Sequence, residues 1–548
     1  MESESNDQDQ TSVFQWLIVA LGDEALAYLL GCDLADISEL DSGEAQLSDG
    51  QREVLVTLSL LRRNMPSELD ENSVNEAVRG WLMQIGPDNR TIAVHIREHV
   101  STPDAAPAAD DELERTIATL ALDVYAGFLF PPDPRMLGLM QRTSIHVVRA
   151  AFQHPAEKAF QEAALEDAAI GAIFEVDVEH SGRTAMMYAN TGSGGGLQLL
   201  MLSELLLSRA WRRMDSTRRS PVLFAEQAVS ELRLARDLMA GKTRDIPAKI
   251  AFAGILLPPG VQLTLDCGVV RPTTEADRKL APESLKGQLQ GTDADGVTTL
   301  INYDGDVILD YNYPFKVRFT KPETSEEPLS LPDDMRPPAS FASAVTRLRF
   351  SLMLAVDRPS RAQLVQTWQT IDTPLDAGSS ISWSDPRQGT GIMPVQLTEA
   401  EVTAWGEWYE RLSTTHVARI ELALSRILRA IAERREPSDV LIDSVIAWEN
   451  LFGTSEGEPT FRVTMCLAVL LEGPADARQE LKKRLGAIYG LRSKVVHGSR
   501  NLKESEYPLC QEALDVAVRA VRTLVSERTD ILELSDGAVR STKLLLGG

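Results

Sequence analysis

Cysteine is scarce in this chain: four in 548 residues, at Cys32, Cys267, Cys466 and Cys510. No two stand close enough in sequence to form a metal-ligand pair. That spacing excludes a disulfide framework and a zinc-ribbon type of site, and it predicts a reducing compartment. Positive charge is also short. Lys plus Arg is 55 against 80 for Asp plus Glu, a net charge of -25. A surface this acidic repels polyanions, so any contact with nucleic acid requires a local basic patch. No run of about 18 uninterrupted apolar residues occurs, which excludes an ordinary membrane-spanning helix. The opening MESESNDQDQTS has neither a basic start nor an apolar signal core. A cytoplasmic protein without membrane contact is expected.

What is present is ordinary globular material, 43% hydrophobic and 25% charged, in a chain too long for one core. The expected class is α+β, predominantly α, and multidomain. Residues 1–104 read as short helices resembling a helix-turn-helix, punctuated by Gly31 and Gly43, with Ser48 or Asp49 capping the third helix. Its would-be recognition helix carries Asp36, Glu39 and Asp41 and no Lys or Arg, poor chemistry for phosphates. After a Pro- and Ala-rich linker at 101–112, residues 105–245 read as a helical domain. Residues 246–330 read as β-rich. Their clearest signal is Val297 to Tyr303, an Asp304-Gly305 turn and Asp306 to Tyr313, which predicts a hairpin. Residues 321–338 have linker composition within a connecting segment at 331–396. From 397 to 535 a helical bundle is expected, followed by a tail at 536–548.

In the bundle, Trp405, Trp408, Leu412, His416, Ile420, Leu424, Ile427 and Ile431 recur at spacings of three and four, predicting one long buried helix face. Pro437 and Ser438 open a second helix. A third stops at Gly473-Pro474, a fourth runs from about Ala475 to Gly498, and a fifth covers about 506–527. The short connections predict an antiparallel bundle.

The fourth helix ends in Tyr489-Gly-Leu-Arg492-Ser493-Lys494-Val-Val-His497-Gly498. Arginine, four residues and histidine form the signature of the HEPN superfamily, and this string resembles its ApeA-like branch. The upstream Asp439-VLIDSVIAWENLFG resembles that branch's preceding helix, with Glu449 after an apolar run. The resemblance covers a quarter to two fifths of the chain. It implies a ribonuclease that uses no metal or other cofactor, with two domains paired so that Arg492 and His497 of both copies line one cleft. It also implies an RNA substrate, a homodimer or higher even-numbered oligomer, and an antiviral or abortive-infection role. An upstream sensing or inhibitory part would respond to a phage or nucleotide trigger. Ser493 departs from the larger polar residue that many active members carry.

The residue types suit RNA cleavage independently of that likeness. Histidine moves protons near neutral pH, and arginine stays charged and forks onto phosphate oxygens. Arg492 falls on the stripe of Leu481, Leu485, Ile488 and Val495, facing the packed side, where Glu449 is placed to pair with it. Five residues separate Arg492 from His497, roughly 140° around an ideal helix. Either a helix break at Gly498 or a second protomer must bring the two together. Between Asp476 and Lys503, eight basic residues face two acids, a net +6. Lys482, Lys483, Arg484 and Arg500 are the expected RNA-facing rim, with Tyr489, Ser493 and Lys494 in support.

Other readings compete. A HEPN bundle without catalysis would bind nucleotide or nucleic acid, or serve dimerisation. The N-terminal segment points to a helix-turn-helix regulator. His95-Ile-Arg-Glu98-His99 matches a zinc-binding pattern with no recognisable domain around it. Thr191-Gly-Ser-Gly-Gly-Gly196 reads as a flexible turn before a helix more readily than as an anion cradle. His146, His154 and His180 have no evident partners.

Overall fold

The structure is a computed structural model that describes residues 13–42, 45–131, 145–174, 183–215, 217–292, 296, 298–320, 335–336, 338–358, 363–375, 381–383, 393–415, 417–454, 458–498 and 501–547. Gly43, His180, Val297, His416, Arg500, most of the linker at 321–338 and the side chain of His146 lie outside it. The fold is α+β and predominantly α, with strands in the middle of the chain and helices at its C-terminal end. The chain divides into two compact units. The first comprises Met1–Arg244, Pro314–Arg336 and Thr373–Ser379, and the second Asp245–Tyr313, Pro337–Asp372 and Ser380–Gly548.

In the first unit, Ser48 caps the Asp49–Arg63 helix through a reciprocal pair with Gln51. Gly31, at φ 67°, ends the Asp23–Leu30 helix, a left-handed cap that glycine adopts at little cost. The long apolar helix Glu112–Leu129 is buried along nearly all of its length and packs against Pro221–Met239 and Pro155–Glu166. His154 gains a partner the sequence hides. Its Nδ1 accepts the Ala156 N–H at 3.0 Å while Nε2 lies 2.8 Å from Asp123. The imidazole thus caps a helix and ties it to the apolar one.

The glycine-rich string does not lead directly into a helix. Thr184–Ala189 and Gly194–Gln198 form an antiparallel hairpin around it, and Val317–Thr320 joins on the other side. Glycines 194–196 are strand residues.

A six-stranded sheet has the order Ile381–Trp383, Val365–Ile371, Arg244–Ala253, Val307–Phe315, Gly268–Pro272, Leu263–Leu265. The expected hairpin across Asp304-Gly305 does not form. Thr298–Asn302 pairs instead with Gln288–Thr292, and Val307–Phe315 enters the large sheet. Gly305 has φ 103°, and a Cβ there would meet Ala251, the Phe252 carbonyl and Thr367 at 3.1 Å. Asp306 donates its N–H to Phe252 O at 2.8 Å and accepts the Gly254 N–H at 2.9 Å. The Asp-Gly pair therefore serves a close backbone approach to a neighbouring strand.

The segment at 331–396 contributes more than a connection. Its Ala339–Ala355 helix and Val365–Ile371 strand place Phe350, Met353, Leu354 and Val365 in the same core as the C-terminal helices. The long first helix of the bundle is broken into Glu399–Thr414 and Glu421–Ala432, with a short 3-10 turn between. The Ser413, Thr414 and Thr415 hydroxyls all bond back to carbonyls of their own last turn, and Thr415 is extended. Such back-bonding offers the chain an alternative to continuing the helix. Pro437–Phe452, Pro459–Leu471, Ala475–Val496 and Tyr507–Ser526 follow where the start and stop signals put them. At the end, Gly537–Leu545 is a further helix, not a loose tail.

Candidate functional site

The site is built between two helices of the second unit, Pro437–Phe452 and Ala475–Val496. The first is amphipathic. Leu441, Val445, Trp448 and Phe452 are buried in the bundle core, and that packing sets Glu449 one position beyond Trp448 at the edge of the buried face. The second helix buries Leu485, Ile488 and Leu491. Arg492 and Tyr489 lie on the flank of that stripe, about 60° apart on the helix surface. Arg492 does not face fully into packing, because its side chain keeps 22% exposure.

Glu449 joins the two. Tyr489 donates from its phenol to Glu449 Oε1 at 2.6 Å. Arg492 Nη2 stands 3.6 Å from Glu449 Oε2, an ion pair beyond ordinary hydrogen-bond reach. Arg492 Nε is buried with no hydrogen-bond partner. The guanidinium is therefore under-coordinated within the chain. Burial first, and then the Glu449 carboxylate, push the Tyr489 phenol up to about 12, so it remains a donor at any physiological pH.

The helix ends at His497. Its N–H still reaches Ser493 O at 3.1 Å, and Gly498 follows with φ 66° and an N–H to Val495 O at 3.0 Å. The break thus falls after the histidine, and the backbone keeps it in helical register with Arg492. Of the two routes by which the pair can meet, the helix break does not operate. His497 is exposed, and Val496 beside it is 46% exposed.

The basic residues do not share one face. Lys482 lies on the Arg492 side with its Nζ 4.5 Å from the centre of the Phe461 ring, a cation–π contact. Lys483 and Lys494 point to solvent on the outer face. Arg484 sits on the opposite flank, 2.6 Å from Glu512 of the following helix. Ser493 is half-buried. Gly486 and Gly490 have open space where a Cβ would stand. Sequence reasoning named Tyr489, Glu449 and Arg492 but missed the phenol-to-carboxylate bond, for which no sequence signal exists.

The zinc-like motif is dispersed. His95 lies 2.7 Å from Asp88, His99 2.7 Å from Glu53, and Glu98 pairs with Arg90 at 2.6 Å. Among the described residues, no group of three or more His, Cys, Asp or Glu is placed to hold a metal ion. The acidic helix Leu34–Ser42 buries only Ile37.

Comparison with known protein families, with characterised proteins and with solved structures finds no match to this chain.

Proposed function

We propose that this chain is a metal-independent endoribonuclease in which Arg492 holds the scissile phosphate and His497 transfers protons. The observation that carries the reading is an under-coordinated Arg492 and an exposed His497 on one helix. The segment from Asp476 to Lys503 carries eight basic residues against two acids, in a chain of net charge -25. The likeness of the Tyr489–Gly498 string to HEPN domains adds to it.

The chemistry follows from the groups. The RNA 2′-hydroxyl attacks the adjacent phosphorus, an imidazole takes its proton, and the bond to the 5′-oxygen breaks as that oxygen is protonated. The products are a 2′,3′-cyclic phosphate and a 5′-hydroxyl. Arg492 neutralises the charge that builds on the non-bridging oxygens. Because the helix holds the two side chains roughly 140° apart, the working pair draws Arg492 from one copy and His497 from the other, in a homodimer or higher even-numbered oligomer. In this account the upstream residues hold the enzyme silent in the cytoplasm until a trigger such as a phage product or nucleotide arrives, as in an abortive-infection effector. The acidic body fits such a role by masking the basic helix.

Expression of the full chain in a bacterial host tests this. Growth arrest accompanied by RNA fragments is expected for the wild type, with both absent for His497→Ala. Equal behaviour of the two proteins would rule the enzyme out and leave a binding module.

A further inference from the structure

Glu449 has two carboxylate oxygens and Arg492 has a planar fork, a combination that ordinarily closes into a two-pronged pair with short parallel bonds. Here it does not close. One oxygen is held by Tyr489 at 2.6 Å, the other faces Arg492 across 3.6 Å, and Arg492 Nε, buried, has no hydrogen-bond partner.

We propose that Tyr489 is a positioning residue that keeps the guanidinium available by holding Glu449 back from it. The inference rests on the nuclease reading above and deepens it. The tyrosine takes one carboxylate oxygen out of play. The remaining oxygen is enough to orient Arg492 and too little to saturate it. A phosphate with several free oxygens then outcompetes the carboxylate for the exposed end of the guanidinium. Without the phenol hydroxyl, the carboxylate swings onto the fork and the arginine becomes a neutralised structural group. Tyr489 and Arg492 lie three residues apart on one flank of the helix, so a single carboxylate from the facing helix reaches both.

The test uses the full chain and three variants, Tyr489→Phe, Glu449→Gln and the double variant. Two readouts apply: cleavage of a fluorescent RNA, and binding of a 2′-O-methylated RNA that cannot be cleaved, followed by anisotropy. Tyr489→Phe is expected to lose roughly tenfold in both, the equivalent of one charge-assisted hydrogen bond. The double variant is expected to recover most of that loss, because an amide cannot trap the guanidinium. A merely structural tyrosine would give a loss that Glu449→Gln leaves uncorrected, and that outcome overturns the proposal. A crystal structure of Tyr489→Phe adds an activity-free readout, in which both Glu449 oxygens are expected on Arg492. If the wild type neither binds nor cleaves RNA, the nuclease reading itself fails. If it does both and Tyr489→Phe matches it, only the role of Tyr489 fails.

Discussion

Single residues in this chain carry electrostatic loads that composition hides. Asp306 is 4% exposed, and burial pushes its carboxyl up from 3.8 to about 6, against the pull of hydrogen bonds from the Gly254 N–H and Asn302. The folded state therefore holds the proton more tightly than the unfolded chain does. Its stabilising effect is complete below about pH 4 and fades as pH rises to about 6, leaving an ionised buried group as a cost of about 2–3 kcal/mol at neutrality. Asp306→Asn keeps one acceptor for Gly254 and removes the charge. Urea unfolding of both proteins should show the variant gaining on the wild type between pH 4 and pH 7. A difference that stays constant across that range would contradict the assignment. The same scale governs the candidate site, where the buried Arg492 Nε has no hydrogen-bond partner.

At the scale of elements, the last helix shows how the site is held. Arg540 is 1% exposed and donates to the carbonyls of Leu451, Asn450 and Leu534 at 2.9, 2.8 and 3.2 Å. Two of these are the orphaned carbonyls at the end of the helix that carries Glu449. Gly537 lies so close to Gly453 that a Cβ would meet its carbonyl at 2.9 Å. Arg540→Ala should lower stability by about 3 kcal/mol, since it strands buried acceptors as well as emptying a site. A urea midpoint equal to that of the wild type would refute this. None of it was legible in a stretch that reads as a tail, because one buried arginine has no periodic signature. What was legible were helices with chemical punctuation: Pro437 at the start of one, Gly473-Pro474 between two, Gly498 after His497. The break at Thr415 was not, since the apolar spacing of Leu412, Ile420 and Leu424 runs on through it. Nor was the strand pairing at Asp304-Gly305, because a tight-turn dipeptide serves equally well wherever two backbones approach closely.

At the scale of the whole molecule, the proposal requires two copies, and one helix explains why. Its hydrogen bonding continues through His497, so a single chain cannot aim both groups at one phosphate. Mixing Arg492→Ala protomers with His497→Ala protomers tests this. If each cleft combines an arginine from one copy with a histidine from the other, mixed dimers keep one intact half-site and recover measurable cleavage that neither variant shows alone. Absence of recovery under subunit exchange would mean that each active unit is confined to one chain.

The central claim is that Arg492 and His497 cleave RNA without a metal, and the nature of the cut ends tests it most directly. Purified full-length protein incubated with RNA in excess EDTA should leave 2′,3′-cyclic phosphate and 5′-hydroxyl ends, and His497→Ala should leave none. Cleavage that EDTA abolishes, 5′-phosphate ends, or undiminished cleavage by His497→Ala would contradict it.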